Sequence, residues 1–291
     1  MLSVSPLGMV LLGVALVAFI ALCVWFAVSV AGAPVARPRL ERFARRHQLV
    51  VTATNGNQVI RYLATTRRWR ATGLAAGLIA SIGWSLAHGV FQVYFLVLFA
   101  GWFAGALIAE VRLAPAPFGP RRAASLVPRQ PRAYLPRTVW ALLPAAGAIS
   151  LAVGAASAVG ALARRPVGLG AAPLFAVAML VFVVVRTVQH RVLHRPQPVA
   201  EPDVLAADDA IRSRSLHVLA GGGTTLVLYC VLGQLAALAP ALPGAATEVI
   251  EVVNFLGIFA VPLLGWAVAV SPWPVRRSAG PASALPANGT S

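Results

Sequence analysis

The stretch RRWRATGLAAGLIASIGWSLAHGVFQVYFLVLFAGWFAGALIAEVR, Arg67 to Arg112, decides the architecture. Between Arg70 and Glu110 lie 39 residues without a charged side chain. As one helix they would run about 58 Å at 1.5 Å per residue, roughly twice the hydrocarbon thickness of a bilayer. The run must therefore fold back on itself, and His88-Gly89 is the only polar, helix-breaking pair near its middle. This predicts two membrane-crossing helices, near 71–87 and 89–109.

Working outward, further apolar segments of spanning length fall near 7–31, 138–163, 167–186, 216–239 and 249–271. The expected fold is all-α: a polytopic transmembrane bundle of seven spans. Composition agrees, since 59% of residues are hydrophobic, 11% are charged, and the mean hydropathy is +0.80. A soluble domain cannot expose that much apolar surface without aggregating. A signal-peptide reading of the first segment fails because no basic region precedes it and its apolar run exceeds the usual length. Cys23 and Cys230 both fall inside predicted spans, so no disulfide framework is implied.

Charge fixes the expected orientation. The chain carries 24 arginines, no lysine and a net charge of +16. On a soluble chain this would argue for nucleic acid. Scored by loop, however, nine arginines lie in 32–70, six in 110–137, five in 186–215 and two in the tail, against only Arg164 and Arg165 on the opposite side. The positive-inside rule then places the N-terminus out and the C-terminus in, in the cytoplasmic membrane. Arg67, Arg68 and Arg70, with Arg121 and Arg122 of the next inner link, are expected to meet anionic headgroups of the inner leaflet, with Trp69 at the interface. A patch pressed against a bilayer cannot enter a groove, so nucleic acid is not an expected partner.

Three regions follow: 1–70, a first transmembrane helix with a basic cytoplasmic link; 71–274, a six-helix transmembrane domain; and 275–291, a disordered tail of Pro, Ala, Gly and Ser. In the link, Arg39 to His47 reads as an amphipathic helix with Leu40 and Phe43 on one side, suited to the inner leaflet. Residues 49–60 allow either a hairpin at Asn55-Gly56 or a helix, capped by Asn55 or Asn57, that continues into the second span. The spacing of Ile60, Leu63, Ala64 and Arg67 favours the helix. YLATTRRWRATGLAAG at Tyr62 and YLPRTVWALLPAAG at Tyr134 echo each other, as do RAASL at Arg122 and RSRSL at Arg212. These echoes suggest helical-hairpin repeats.

Gly73 and Gly77, and Gly101 and Gly105, have GxxxG spacing, and Gly221 to Gly223 opens the sixth span, so close helix packing is expected. Pro144, Pro173 and Pro262 lie within spans and read as kinks.

The search for catalytic chemistry is negative: there is no phosphate loop, nucleophile elbow, HExxH or paired cysteine motif. No catalytic residue or cofactor is assigned. His190 and His194 share a helix face and His217 begins the next span on the same side, but Arg186, Arg191 and Arg195 crowd them and would repel a metal ion. EPDVLAADD, Glu201 to Asp209, departs from the magnesium motifs of intramembrane transferases, and Asp208-Asp209 is read as the cap of the helix entering span six.

At the outward end, His88, Gln92, Gln234, Glu248, Glu251 and Asn254 gather most of the polar groups that are not arginine. They suggest a shallow vestibule for a cation or polar substrate group.

In its spans and in patches such as RRAASLVPR and AADDAIRSRSL, the chain resembles uncharacterised multi-pass membrane proteins of high-GC actinobacteria, a resemblance that implies no activity. Two function classes remain: a non-enzymatic scaffold or accessory subunit partnered by other membrane proteins, and a transporter or permease subunit using the vestibule. A membrane-embedded enzyme is third.

Overall fold

The computed structural model describes residues 6–89, 92–113, 122–123, 130–198 and 201–271. Arg121 and the 275–291 tail lie outside the described residues, and Arg122 is described only as backbone. Among the described residues eight α-helices follow in order: α1 (Pro6–Gly32), α2 (Arg37–His47), α3 (Ala53–Ala87), α4 (Phe95–Leu113), α5 (Arg137–Leu162), α6 (Ala171–His194), α7 (Pro202–Leu238) and α8 (Gly244–Val270). Among the described residues, α4 to α8 are each long and apolar enough to cross a membrane. A sixth crossing is present if α1 and α2, which meet at 66°, form one broken span. The protein is therefore all-helical and membrane-embedded.

The fold-back at His88-Gly89 is present. His88 ends α3, and Gly89 takes φ +67°, the left-handed conformation that glycine adopts without a Cβ penalty. Two serines of α3 secure the return. Ser81 Oγ accepts the Tyr94 N–H at 2.7 Å, and Ser85 donates to the Gln92 carbonyl. α3 is longer than the expected second span, because 53–70 and 71–87 are one continuous helix of 35 residues. Within 49–60 the chain is helix from Ala53 onward and forms no hairpin, but the cap is Thr52, not Asn55 or Asn57. Thr52 Oγ1 accepts the Asn55 N–H at 3.3 Å and Asn55 Oδ1 accepts the Thr52 N–H at 2.9 Å, a reciprocal capping box.

α3 and α4 lie antiparallel through their glycines. A Cβ placed on Gly77 would sit 2.7 Å from the Val97 carbonyl oxygen, and one on Gly73 would strike the Gly101 backbone. The two GxxxG pairs thus face each other, and backbone meets backbone.

α7 is the centre of the bundle, in contact with α3, α4, α5, α6 and α8. Gly221 to Gly223 does not open this helix; it lies in its middle, more than four turns from Pro202. Successive helical residues point about 100° apart, so the three glycines face three neighbours. Gly221 meets the Gly265 backbone of α8, Gly222 the Phe103 ring of α4, and Gly223 the Val185 side chain of α6. Phe103, Leu143, Val185, Leu216, Leu219 and Val227 form the core around this point. The three hairpins are not alike in packing: α5 and α6 make their larger contacts with α7 rather than with each other.

A second, smaller core sits at the arginine-bearing end. Phe43 of α2 is buried there with Leu49, Val59, Tyr62, Ala207 and Ile211. The apolar side of α2 is thus sealed against α3 and α7 rather than laid on lipid, because both helices extend far enough to cover it. α2 ends in a Schellman turn, with Gln48 at φ 49° and the Leu49 N–H on the Ala44 carbonyl at 2.9 Å. Pro144 and Pro262 lie inside α5 and α8, but Pro173 is the third residue of α6. There its missing N–H has no intrahelical acceptor to lose, and no kink is required.

Replacing Gly221 by Leu drives a side chain into the α8 backbone, which cannot rotate away. The expected loss is about 3 kcal/mol or more, read as a lower melting temperature in detergent. Gly83→Leu, where a Cβ meets nothing within 4 Å, should leave the melting temperature unchanged.

Candidate functional site

The arginines at the end of α3 have protein partners. Arg67 donates to the carbonyls of Ala33 and Pro34, the latter at 3.2 Å, and Arg68 Nε donates to the Ala31 carbonyl at 3.2 Å. These are the last carbonyls of α1 and its exit, groups that lack an intrahelical donor. The device recurs. Arg212, fully buried, donates to Val192 and Leu193 at 2.8 Å and to Arg195 at 3.1 Å, closing α6, and Arg214 donates to Ala269 in the last turn of α8. Each guanidinium both fills an orphan acceptor and opposes the negative end of a helix dipole.

Asp208 completes the α6 closure. It accepts from Arg195 at 2.5 Å and from Arg212 at 2.8 Å, with little exposure of any of the three side chains. It is not the helix cap expected from sequence. Glu201 occupies that position and α7 begins at Pro202, so Asp208-Asp209 sits two turns in, where Asp209 accepts from the Tyr134 hydroxyl at 3.1 Å. Asp203, in the first turn, accepts from Thr52 and Thr54 and ties the start of α7 to that of α3.

Between α1, α2 and α3 lies a cavity of about 750 Å³, open on one side. Its arginine-bearing end is lined by Arg39, Arg42 and Arg46 of α2, Arg67 and Arg70 of α3, and Arg214 of α7, with no carboxylate among the lining residues. Away from that end the walls turn apolar, with Leu22, Trp25 and Val30 of α1 facing Leu74 and Leu78 of α3. Arg70 lies over the Trp102 ring at 5.3 Å. Three nitrogens of this wall, Arg67 Nε, Arg70 Nε and His47 Nδ1, are buried and have no hydrogen-bond partner. Behind the wall, Glu110 of α4 is 3% exposed beside Tyr62, Ser215 and Arg70, and neither carboxylate oxygen is in hydrogen-bond geometry.

The other candidates separate. His190 and His194 stack at 4.0 Å on the exposed side of α6, while His217 is buried in α7 with Nδ1 against the Ser213 carbonyl. Among the described residues, no group of three His, Cys, Asp or Glu is placed to hold a metal ion. The vestibule residues do not converge either. His88 is exposed and packs on Trp84 at 4.4 Å, and Gln92 is exposed. Gln234 is fully buried and donates to Ser150 of α5 at 3.0 Å. Glu248 and Glu251 are exposed, and only Asn254 is partly covered. The inward face of α8 is Ile250, Gly257, Val261 and Gly265. That sequence of positions leaves Glu248 and Glu251 outside by helical phase alone.

Of the expected lipid-contact residues, Arg67 and Arg70 line the cavity and Arg68 closes α1. Sequence reasoning missed Arg39, Arg42, Arg46, Arg214, Glu110 and Asp208. The first three were detectable, because residues 39, 42 and 46 fall within about 60° of arc on a helix. No protein-family model, curated protein or solved structure matches the chain.

Two outcomes follow from these geometries. Asp208→Ala removes the one carboxylate that offsets the charge of the buried Arg212 and of Arg195 and should cost about 3–5 kcal/mol, whereas Glu41→Ala, which breaks the exposed pair with Arg37 at 2.9 Å, should cost under about 1 kcal/mol. Denaturation in detergent measures both. His47, on a helix too arginine-rich to enter hydrocarbon, is pushed down to about 4 by burial, with Arg214, His217 and Arg46 adding to the effect. Its folded pKa lies below the unfolded value of 6.5, so its contribution is present above pH 6.5 and is lost as pH falls toward 4. His47→Gln should flatten the fall in stability over that window.

Proposed function

We propose that this is a seven-span protein of the cytoplasmic membrane that binds an anionic amphiphile of the inner leaflet between α1, α2 and α3. Its N-terminus is outside and its C-terminus inside. The α1–α3 cavity carries this reading, since it joins six guanidinium groups to an apolar channel that opens sideways along α1. A soluble anion would use the charge and leave the channel idle; an uncharged lipid would do the reverse. Orientation rests on the arginine asymmetry, and the carbonyl closures of α1, α6 and α8 all lie at that arginine-rich end. On this reading α1 and the 71–87 part of α3 are the two crossings beyond α4 to α8.

The role is that of a non-catalytic binding or accessory subunit whose partners are anionic lipids and the membrane proteins it serves. Transport through an outward vestibule is the weaker reading, because the six polar residues that motivated it face different directions.

Protein extracted in native bilayer particles should carry anionic lipid enriched over the surrounding membrane, by mass spectrometry. The enrichment should fall at least fivefold in Arg39→Gln/Arg42→Gln/Arg46→Gln. Equal lipid profiles for the two proteins overturn the reading. Single cysteines at Gly56 and Pro202 should react with an impermeant reagent only from the cytoplasm, and one at Gly244 only from outside.

A further inference from the structure

We propose that the amphiphile bound between α1, α2 and α3 ends in a phosphate monoester, held by the arginines of α2 together with Arg67 and Arg70. This rests on the reading that the cavity takes an anionic amphiphile, and narrows it to one headgroup chemistry.

Charge is the first argument. Six arginines line the site and no carboxylate does; the Glu110 carboxylate behind the wall opposes at most one of them. A phosphodiester or a carboxylate brings a single negative charge and leaves most of that repulsion standing. A phosphate monoester carries about −1.5 to −2 at pH 7, and neighbouring guanidinium groups favour the full dianion.

Unfilled hydrogen bonds are the second. Arg67 Nε, Arg70 Nε and His47 Nδ1 are buried at the same end of the cavity with no acceptor. Both guanidinium N–H groups need one. A terminal phosphate offers three oxygens in a compact tripod, whereas a diester offers two free oxygens and turns a bulky substituent toward α2. Arginine is well matched to this task, since its planar fork pairs with two phosphate oxygens at once. Arg39, Arg42 and Arg46 project from one side of α2, and buried Phe43 anchors that helix over the site.

The channel is the third. From Leu22 to Val30, α1 presents apolar side chains over about 12 Å of helix length, facing Leu74 and Leu78. Trp25 at this wall is 65% exposed, so the channel opens toward the bilayer and a chain entering it leaves sideways into the leaflet. Glycerol phosphate without chains fills only the charged end.

The test uses the full chain, delipidated and placed in phosphatidylcholine nanodiscs doped with phosphatidic acid or phosphatidylglycerol of identical chains, with occupancy read by native mass spectrometry. Phosphatidic acid should bind at least tenfold more tightly than phosphatidylglycerol. That preference should drop below threefold in Arg42→Gln/Arg46→Gln, whose side chains are exposed enough for the protein to fold. It should persist in Arg37→Gln/Arg45→Gln, which removes the same charge from α2 at positions that do not line the cavity. Equal binding of the two lipids above phosphatidylcholine overturns the monoester and leaves the amphiphile reading standing. Binding of neither above phosphatidylcholine overturns both. Equal loss of preference in the two double variants overturns the placement in the cavity. Displacement of phosphatidic acid by equimolar glycerol 3-phosphate shows a free-phosphate site and overturns the need for a chain.

Discussion

The last carbonyls of a helix have no intrahelical donor and must find one elsewhere. In this protein the requirement is met by arginine. Arg67 and Arg68 close α1, Arg212 closes α6 and Arg214 closes α8. Every one of these donors lies on α3 or α7, helices that begin at the end where α1, α6 and α8 finish. Alternating helix direction produces this arrangement directly: at one face of the bundle, the C-termini of some helices meet the N-terminal halves of others. Positive charge there opposes the carbonyl ends of the helix dipoles. Polar closure and the charge asymmetry that orients membrane helices are therefore served by the same side chains.

The second constraint is approach distance. With no bulk water between apolar helices, association depends on packing, and glycine lets backbones touch. On α7 three consecutive glycines admit three neighbours at one level, which makes that helix the axis of the bundle. The described glycines of α1, Gly13 and Gly32, make no such contact. That helix packs chiefly along α3, and its remaining flank stays open. The cavity arises from this asymmetry, with a tightly packed bundle on one side, a single outlying helix on the other, and α2 bridging them at the charged end.

The cavity arginines and the closing arginines overlap. Arg67 bonds α1 through its terminal nitrogens while its Nε points to an empty partner position. Arg214 is shared in the same way, donating to α8 and lining the cavity wall. A bound anion would complete the coordination of groups that already tie α3 to α1 and α7 to α8. Binding at this site would thereby be coupled to the fastening of α1 to the bundle through single side chains.

Much of this was determined by sequence alone. The uncharged run of 71–109, too long for one crossing, required a fold-back, and His88-Gly89 marked its place; the GxxxG spacing announced the α3–α4 contact. These are local properties of length, hydropathy and side-chain volume. The shared face of Arg39, Arg42 and Arg46 was visible in their helical phase. What only tertiary structure decided was which distant groups meet. Asp208 looked like a helix cap and is a buried ion-pair partner, because Arg195 arrives from the end of α6 to join Arg212. Glu248, Glu251 and Asn254 looked like one polar face, but the way α8 turns its Gly257–Gly265 side toward α7 leaves the carboxylates outside. The arginines of RRWR read as headgroup contacts, yet Arg67 and Arg68 close α1, and Arg67 and Arg70 line a cavity. Hydropathy fixes where a segment lies along the membrane normal, whereas rotation about a helix axis and the acceptor each donor finds depend on neighbours far away in the chain.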